Sequence, residues 1–207
     1  MKGNAIIGID VGGTKIRAGL VAPHGKVVKR VTIPTEAGKG SKTVLRNIVS
    51  VAERVWRNDV RGIGIGLAGI VDRKKGVFLQ GQNLPRSFRN VPIGRLLEKR
   101  FKVPITVDND VHCFTLAEAT LGAGKRFSHV VGLMFGTGIG GGIVVDGRLF
   151  RGRDNAAGEF GHTVIDAGSP YACGCGRKGH FEAMASGTGM SNIYRRLTGK
   201  KIEPYEV

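Results

Sequence analysis

Four side chains able to bind a metal ion lie in one glycine-rich segment, residues 155–182. Cys173 and Cys175 form a Cys-x-Cys pair, with His180 five positions later and His162 eleven positions earlier. Their number and donor types match a tetrahedral structural zinc site. The spacing is looser than in the Cys-x-x-Cys pairs of zinc fingers, so a chance meeting on a loop stays open as the alternative. A disulfide between Cys173 and Cys175 is not expected, because one intervening residue makes a strained ring.

Two carboxylates, Glu159 and Glu182, stand in the same segment. The metal does not need them, so we expect them to accept hydrogen bonds from another ligand. Paired acceptors on loops commonly hold polyols, which makes a sugar the first ligand to consider.

A glycine turn near the N-terminus predicts a phosphate site. Residues 5–9 form an apolar run that ends in Asp10, and Gly12, Gly13 and Thr14 follow. The glycines let backbone N–H groups approach an oxyanion, Thr14 adds a hydroxyl donor, and Asp10 could hold a magnesium-bound water. A plain β-hairpin in which Asp10 caps the turn is the alternative.

A second glycine turn, residues 136–142, lies between apolar runs at 130–135 and 143–145. Two such strand–turn–strand units in one chain are the arrangement of the actin-like ATPase fold, in which two related domains close on a nucleotide. The Gly-x-Gly-x-x-Gly spacings at 64–69 and 136–141 also match a dinucleotide fingerprint. We reject that interpretation because no helix is expected to open directly after either of them.

Asp110 is the candidate catalytic group. It follows a short strand at 105–107 and leads into a helix predicted over 111–121. The helix macrodipole favours its ionised form, and an ionised carboxylate can orient a hydroxyl and take its proton. A helix cap without chemistry is the alternative. His112 and Cys113 are expected to pack and receive no role.

Strands and helices alternate along the chain to position these groups. Hydrophobic spacing predicts a helix over 41–58 with Ser41 as its N-cap. Its apolar face, which we expect to pack on a sheet, consists of Val44, Ile48, Val51 and Val55. Further elements are expected as strands at 16–20, 26–33 and 61–67, a short helix at 91–101, and a buried strand at 130–135.

Composition and charge limit the function classes. The net charge of +16 favours anionic partners, but the basic residues are scattered, so we expect nucleotides or phosphates rather than nucleic acid. No apolar run approaches the roughly 20 residues of a membrane helix. The N-terminal apolar run is too short for a secretory signal, and the 3 cysteines fit a cytoplasmic setting.

Four motifs, in this order, resemble those of the ROK family of sugar kinases and repressors. They are Asp10-Val-Gly-Gly-Thr14, Asn109-Asp110, Gly136-Thr-Gly-Ile-Gly-Gly-Gly142, and Glu159-Phe-Gly-His162 with Cys173-Gly-Cys175 and Glu182. The resemblance implies an α/β, actin-like ATPase (ribonuclease H-like) fold. It further implies two domains, residues 1–120 and 121–207, of which the second is incomplete.

The resemblance also implies an activity: transfer of a phosphoryl group from ATP to carbon six of a hexose, most simply glucose. Magnesium and structural zinc are the implied cofactors, and a homodimer the implied assembly. Asp110 would be the base. Sugar contacts are implied for Asn109, Asp110, Glu159, His162, Glu182, Gly69 and Asn83. Phosphate contacts are implied for Asp10, Gly12, Gly13, Thr14, Lys15, Gly136, Thr137 and Gly138. The implied zinc ligands are His162, Cys173, Cys175 and His180.

The sequence departs from the family pattern twice. His180 stands where the family usually has a third cysteine, and two histidines with two thiolates remain an acceptable zinc set. The chain also ends before the helical stretch, adenosine loop and closing helix of the family, and residues 200–205 read as none of these. We therefore expect an incomplete nucleotide site.

Three alternatives stay open. The first is an N-acetylhexosamine or fructose kinase of the same family, and the second is a sugar-binding remnant without kinase activity. The third is a sugar-responsive repressor, which would need a DNA-binding helix-turn-helix ahead of a phosphate motif that begins by residue 10.

Overall fold

The computed structural model describes residues 4–202. The chain divides between Cys113 and Phe114 into two compact units. The domains expected from the sequence, 1–120 and 121–207, remain a prediction, and their outermost ends lie outside the described residues. So do residues 203–205 of the C-terminal segment.

The elements follow the alternation expected from the sequence. The strands are β1 (Ala5–Val11), β2 (Lys15–Val21), β3 (Val27–Pro34), β4 (Val60–Leu67), β5 (Ile70–Asp72), β6 (Val77–Gln80), β7 (Ile105–Asn109), β8 (Val130–Phe135), β9 (Ile139–Val145) and β10 (Arg148–Phe150). The helices are α1 (Ser41–Val55), α2 (Ile93–Phe101), α3 (Asp110–Thr120), α4 (Phe181–Ala185) and α5 (Gly187–Thr198). Among residues 4–202, none of the helices combines the length and apolarity that a bilayer crossing requires.

The first unit is built on a five-stranded sheet in the order β3-β2-β1-β4-β7. The central strand β1 pairs antiparallel with β2 and parallel with β4. The strand β7 adds in parallel to β4, so Asn109 at its carboxyl end lies opposite Leu67. Because parallel strands end at the same sheet edge, the loops after β1, β4 and β7 share that edge.

Helix α1 covers one face of this sheet and completes the core. The predicted apolar face is confirmed, since Val44, Ile48, Val51 and Val55 are all fully buried. The helix ends at Val55, before the predicted residue 58, because Trp56 turns to an extended conformation. There its ring stacks on Phe101 at 5.1 Å between centroids.

The predicted N-cap of α1 is wrong. Gly40 precedes the helix with a φ of 88°, and no side chain caps it. The Ser41 hydroxyl instead donates to the hydroxyl of Ser87 at 2.6 Å. A positive φ favours glycine, so the helix starts directly after it and Ser41 becomes a helical residue.

The second unit contains a three-stranded antiparallel sheet in the order β10-β9-β8. It repeats the up-and-down path of β3-β2-β1. The strand predicted at 130–135 is confirmed, but its predicted burial is wrong: Val131, Leu133 and Phe135 are 60%, 44% and 57% exposed. Within the described part of the chain β8 is an edge strand, so these side chains have no adjacent strand to cover them.

Strand β9 begins at Ile139, earlier than the predicted residue 143, and so includes three glycines of the turn sequence. Their missing side chains leave room for neighbours. A Cβ on Gly141 would lie 2.3 Å from the Phe160 ring, and one on Gly142 would lie 2.5 Å from the Thr115 hydroxyl. The glycines therefore serve close packing here as well as turn formation.

Candidate functional site

The first glycine turn joins β1 to β2 and is held by Thr35. The Gly12 N–H donates to the Lys15 carbonyl at 3.1 Å. The Thr35 hydroxyl donates to the Gly12 carbonyl at 2.7 Å, and the Thr35 N–H donates to the Thr14 carbonyl at 2.9 Å. Thr35 is fully buried and was not singled out from the sequence, because nothing local links it to the turn. Thr14 and Lys15 are exposed, as a phosphate-binding turn requires.

Asp10 lies at the end of β1 beside Arg17 of β2. The two residues are directly paired in the register, and Arg17 Nη1 lies 3.0 Å from Asp10 Oδ2. Both side chains are about half exposed, so this ion pair contributes little to stability. The Asp10 carboxylate is therefore a solvent-reachable group next to the turn, in a position suited to a magnesium-bound water.

Gly13 lies against the Asn83 loop. A Cβ on Gly13 would lie 2.7 Å from the Asn83 carbonyl oxygen and 2.8 Å from the Asn83 Cβ. This contact places Asn83, which the family resemblance assigns to the sugar, directly beside the first phosphate turn. Only a residue without a side chain allows this approach.

We predict that Gly13→Ala destabilises the protein by about 1–3 kcal/mol, the usual cost of overpacking. Urea unfolding measures the change. The matched control is Gly8→Ala on the same strand–turn unit, where a Cβ would meet nothing within 4 Å. Equal midpoints for the two variants would contradict the close packing of the turn on the Asn83 loop.

Asn109 joins three elements of the first unit. Its side-chain Oδ1 accepts from the N–H groups of Val111 at 2.9 Å and His112 at 3.0 Å, which caps α3. Its Nδ2 donates to the Gly69 carbonyl at 3.1 Å. An amide nitrogen carries a second hydrogen that this bond does not use, so Asn109 can hold the loop and still donate to a ligand.

Gly69 is required by its surroundings. Its φ is 153°, and a Cβ there would lie 2.4 Å from the Gln80 carbonyl oxygen. The Gly69 carbonyl accepts a hydrogen bond from Asn109, so the contribution of Gly69 is to fix the Asn109 side chain.

Asp110 begins α3, as the sequence predicts. Its Oδ1 accepts from the Val111 N–H at 3.0 Å. Because Asn109 caps the helix, the cap role that stood as the alternative for Asp110 is already filled by its neighbour.

The residue before this pair, Asp108, is a buried carboxylate that the sequence analysis missed. Its Oδ1 accepts from the Asn109 N–H at 3.0 Å and lies 3.6 Å from His112 Nδ1. Its Oδ2 lies 3.4 Å from Arg73 Nε. A buried carboxylate needs such partners, and here they steady the strand end that carries Asn109 and Asp110. The three acidic and amide residues in succession were the available sequence signal.

The second glycine turn lies in the second unit and is held there by the start of α5. The Gly136 N–H donates to the Gly138 carbonyl at 2.9 Å, which closes the turn. The N–H groups of Gly187 and Thr188, at the start of α5, donate to the carbonyls of Gly136 at 2.8 Å and Thr137 at 3.4 Å. Gly136 and Thr137 are exposed, and because the Gly136 N–H closes the turn, the Thr137 N–H is the one of the two that can face a ligand.

The four predicted metal ligands meet in the second unit. The donor atoms of His162, Cys173, Cys175 and His180 all lie within 4.8 Å of one another. His162 Nδ1 lies 3.2 Å from His180 Nδ1, Cys173 Sγ lies 3.5 Å from His162 Nδ1, and Cys175 Sγ lies 3.4 Å from His180 Nδ1.

These separations fit a tetrahedral zinc. With Zn–N and Zn–S bonds of about 2.0 and 2.3 Å, tetrahedral N–N and N–S edges are about 3.3 and 3.5 Å. The two donor atoms that lie farthest apart would have to approach each other by at most about 1 Å for all four to bind one zinc ion. No disulfide joins Cys173 to Cys175, as expected.

Burial raises the pKa of the Cys173 thiol to about 12. Without a metal the thiol is therefore protonated at neutral pH, and its S–H points to Glu182 Oε1 at 3.3 Å. A bound metal would replace this proton, because the thiolate is the metal ligand.

The ring of His162 has its two nitrogens in different surroundings. Nδ1 faces the cysteines and His180, whereas Nε2 lies 3.8 Å from Glu159 Oε2. That one ring nitrogen binds the metal while the other faces the sugar stays a prediction, and the two surroundings leave a different nitrogen for each role. Glu159 is about half exposed and can accept from a ligand hydroxyl.

Each unit thus brings part of the predicted site together. The first holds the turn at 12–14 beside Asn83, and Asn109 beside Gly69 and Asp110. The second holds the turn at 136–138, the metal cluster, Glu159 and Glu182. That both sets bind one nucleotide and one sugar stays a prediction.

Comparisons with known proteins bear on the family and the fold of the chain. The model of the ROK family matches residues 6–207. The chain is 39% identical over 191 residues to a glucokinase from Thermotoga maritima, covering 92% of this chain and 60% of that protein. It is 31% identical to the N-acetylgalactosamine kinase AgaK of Shewanella, covering 96% of this chain and 66% of that protein.

Among solved structures, a ROK family glucokinase from Streptomyces griseus in complex with glucose and AMPPNP matches with a TM-score of 0.82 and 32% identity. The match covers 95% of this chain and 62% of that one. It confirms the expected α/β fold of the actin-like ATPase type. The chain spans about three fifths of the length of the curated glucokinases it matches.

Proposed function

The chain belongs to the ROK family, and from this premise we propose that it forms the sugar- and phosphate-binding part of an ATP-dependent hexose kinase. The reaction transfers the γ-phosphoryl group to the hydroxyl on carbon six, with glucose as the first substrate. The observation that carries the proposal is the Cys/His cluster whose member His162 turns its second ring nitrogen to Glu159. A metal-braced histidine beside a carboxylate is suited to holding sugar hydroxyls.

In this proposal the sugar is bound by the polar groups that the family resemblance implies. Asn109 donates from its amide, while Glu159 and Glu182 accept from ring hydroxyls and His162 contributes Nε2. Asn83 and Gly69 line the site, and the Gly69 carbonyl fixes Asn109 by accepting its hydrogen bond. Asp110 orients the attacking hydroxyl and takes its proton as the new bond forms.

The phosphates are bound at the turns that contain Gly12 and Gly136, whose own N–H groups close those turns. The backbone N–H groups of Gly13, Thr137 and Gly138 donate to the phosphates, with Thr14, Thr137 and Lys15 as side-chain donors. Positioning and charge neutralisation do most of the work in phosphoryl transfer. Magnesium, when bound near Asp10, would supply charge neutralisation at the phosphate oxygens. Zinc on His162, Cys173, Cys175 and His180 would supply a rigid crosslink of the loop.

The proposal extends to location and assembly. We propose a cytoplasmic protein that forms a homodimer and binds no nucleic acid. None of Cys113, Cys173 and Cys175 forms a disulfide, which is consistent with a reducing compartment.

Two further candidates are kept because specific observations favour them. The similarity to an N-acetylgalactosamine kinase supports an N-acetylhexosamine as substrate, and fructose remains an alternative hexose. Sugar binding without turnover is the second candidate, since the cluster, Glu159 and Glu182 supply sugar-binding groups independently of a nucleotide.

The test is a panel of hexoses and N-acetylhexosamines, each assayed with Mg·ATP for sugar phosphate by mass spectrometry and for binding by calorimetry. We expect phosphorylation of glucose above the other sugars. Binding without phosphorylation would support the sugar-binding alternative. Preferential phosphorylation of an N-acetylhexosamine would support the N-acetylhexosamine kinase. A chain that binds neither sugar nor ATP would contradict the proposal.

A further inference from the structure

We infer that Glu182 is a positioning residue that links the metal cluster to the second phosphate turn. Metal binding at the cluster would then set the geometry of the turn as well as that of the sugar loop. This inference rests on the metal and phosphate assignments of the proposed function and deepens them.

The Glu182 carboxylate contacts both sites. Its Oε2 accepts from the Ile139 N–H at 3.0 Å, where β9 leaves the turn. Its Oε1 lies 3.3 Å from Cys173 Sγ, one of the four metal ligands. One side chain therefore spans from the cluster to the backbone that ends the turn.

Two glycines make the space for this link. A Cβ on Gly138 would lie 2.4 Å from Glu182 Oε2, so any side chain there would push the carboxylate away. A Cβ on Gly161 would lie 2.2 Å from the Ile139 carbonyl oxygen and 3.3 Å from the Glu182 Cβ. The glycine of the turn thus serves the carboxylate as well as a phosphate.

The backbone on either side of Glu182 is fixed by the same two sites. His180, a metal ligand, precedes α4, and the Phe181 N–H donates to the Thr163 carbonyl at 2.9 Å. After α4, Ser186 caps α5 by accepting from the Gly189 N–H at 3.0 Å. The next two N–H groups of the chain bond the turn carbonyls at Gly136 and Thr137.

A bound metal would hold His180, which lies two positions before Glu182, at bond length. Because the metal also replaces the Cys173 proton that points to Glu182, it would restrain Glu182 through the backbone after His180 rather than through the Cys173 contact. Without the metal, only hydrogen bonds of the cluster position the carboxylate. Since Ile139 N–H bonds to Glu182, loosening the cluster should loosen the end of the turn. The turn N–H groups that would face phosphate then lose their fixed direction.

Amide hydrogen exchange of the whole chain, read residue by residue by NMR, tests this link without sugar or nucleotide. In the zinc-loaded protein we expect the Ile139 amide to be protected, and removal of zinc by a chelator to raise its exchange rate by about tenfold or more, the scale of a lost hydrogen bond to a charged group. The control amide is Ile63, which donates to the Pro104 carbonyl at 3.0 Å in the first unit. Its rate should not change.

Glu182→Ala should exchange fast at Ile139 even with zinc bound, and chelation should then add nothing. Glu182→Gln keeps an acceptor oxygen and should restore most of the protection and the response to chelation. An unchanged Ile139 rate in zinc-loaded Glu182→Ala, or an equal response to chelation in that variant and the wild type, would overturn the inference. So would an equal acceleration of Ile63, which would indicate general unfolding.

The outcome is separable from that of the kinase proposal. Failure of every sugar to be phosphorylated would leave the exchange result standing. If removal of zinc left the Ile139 exchange rate unchanged while the sugar was still phosphorylated, only the link through Glu182 would be wrong.

Discussion

Asp110→Asn should cut phosphorylation of the hexose by a factor on the order of 10² or more, while sugar affinity changes by no more than a few-fold. The amide has nearly the same shape as the carboxylate and keeps an oxygen that can accept from the Val111 N–H. It cannot take a proton from the attacking hydroxyl. Steady-state turnover with Mg·ATP, together with calorimetric titration of the sugar, measures both quantities on the same preparation.

The fold should survive this substitution, because Asn109 rather than Asp110 provides the two accepting contacts that cap α3. A thermal melt checks that the midpoint is kept. The matched control is Asp59→Asn, an acid of the same unit that pairs with Arg57. Its turnover should equal that of the wild type. Wild-type turnover in Asp110→Asn would remove Asp110 from the role of base.

His180→Ala should release the metal and weaken sugar binding together. The donors of the cluster lie at separations that fit one tetrahedral ion, and His180 is buried with its Nδ1 close to those of His162 and Cys175. Removing one of four ligands leaves an incomplete set, and His162 then loses the metal that fixes its ring towards Glu159. Elemental analysis of zinc per chain and calorimetry with glucose measure the two effects.

The chain offers two comparison variants for this experiment. His129→Ala removes an exposed histidine outside the cluster and should keep the full zinc content. His180→Cys returns a soft donor at the position where the family usually has cysteine, and should keep zinc as well. Unchanged zinc in His180→Ala would show that the assignment of the metal site is wrong. Loss of zinc with unchanged glucose affinity would separate the metal from sugar binding.

Much of the fold and the site could be predicted from local sequence. The apolar run of β1, the alternation of β2, the four-and-three spacing of α1 and the glycine turns between strands depend on residues within each segment. The four metal donors were also visible, because their chemistry is specific and they lie within one segment. Their predicted ligand set agrees with the cluster that the fold brings together.

Other features were decided by contacts between distant positions. Ser41 has the right chemistry for an N-cap, yet its hydroxyl donates to that of Ser87, which is 46 positions away in the sequence. The strand at 130–135 has the composition of a buried strand, yet its place at the edge of the described sheet leaves alternate side chains exposed. Neither outcome is encoded by the segment itself.

By itself the sequence determined the kinds of element, the order of the motifs and the chemistry available to the site. The tertiary structure alone decided that Thr35 holds the first turn, that Arg73 reaches Asp108, and that Glu182 reaches from Cys173 to the Ile139 N–H. The physical reason is that hydrogen bonds act over about 3 Å. Which residues come within that distance depends on the path of the whole chain, whereas hydrophobic periodicity and turn preference depend only on neighbours along it.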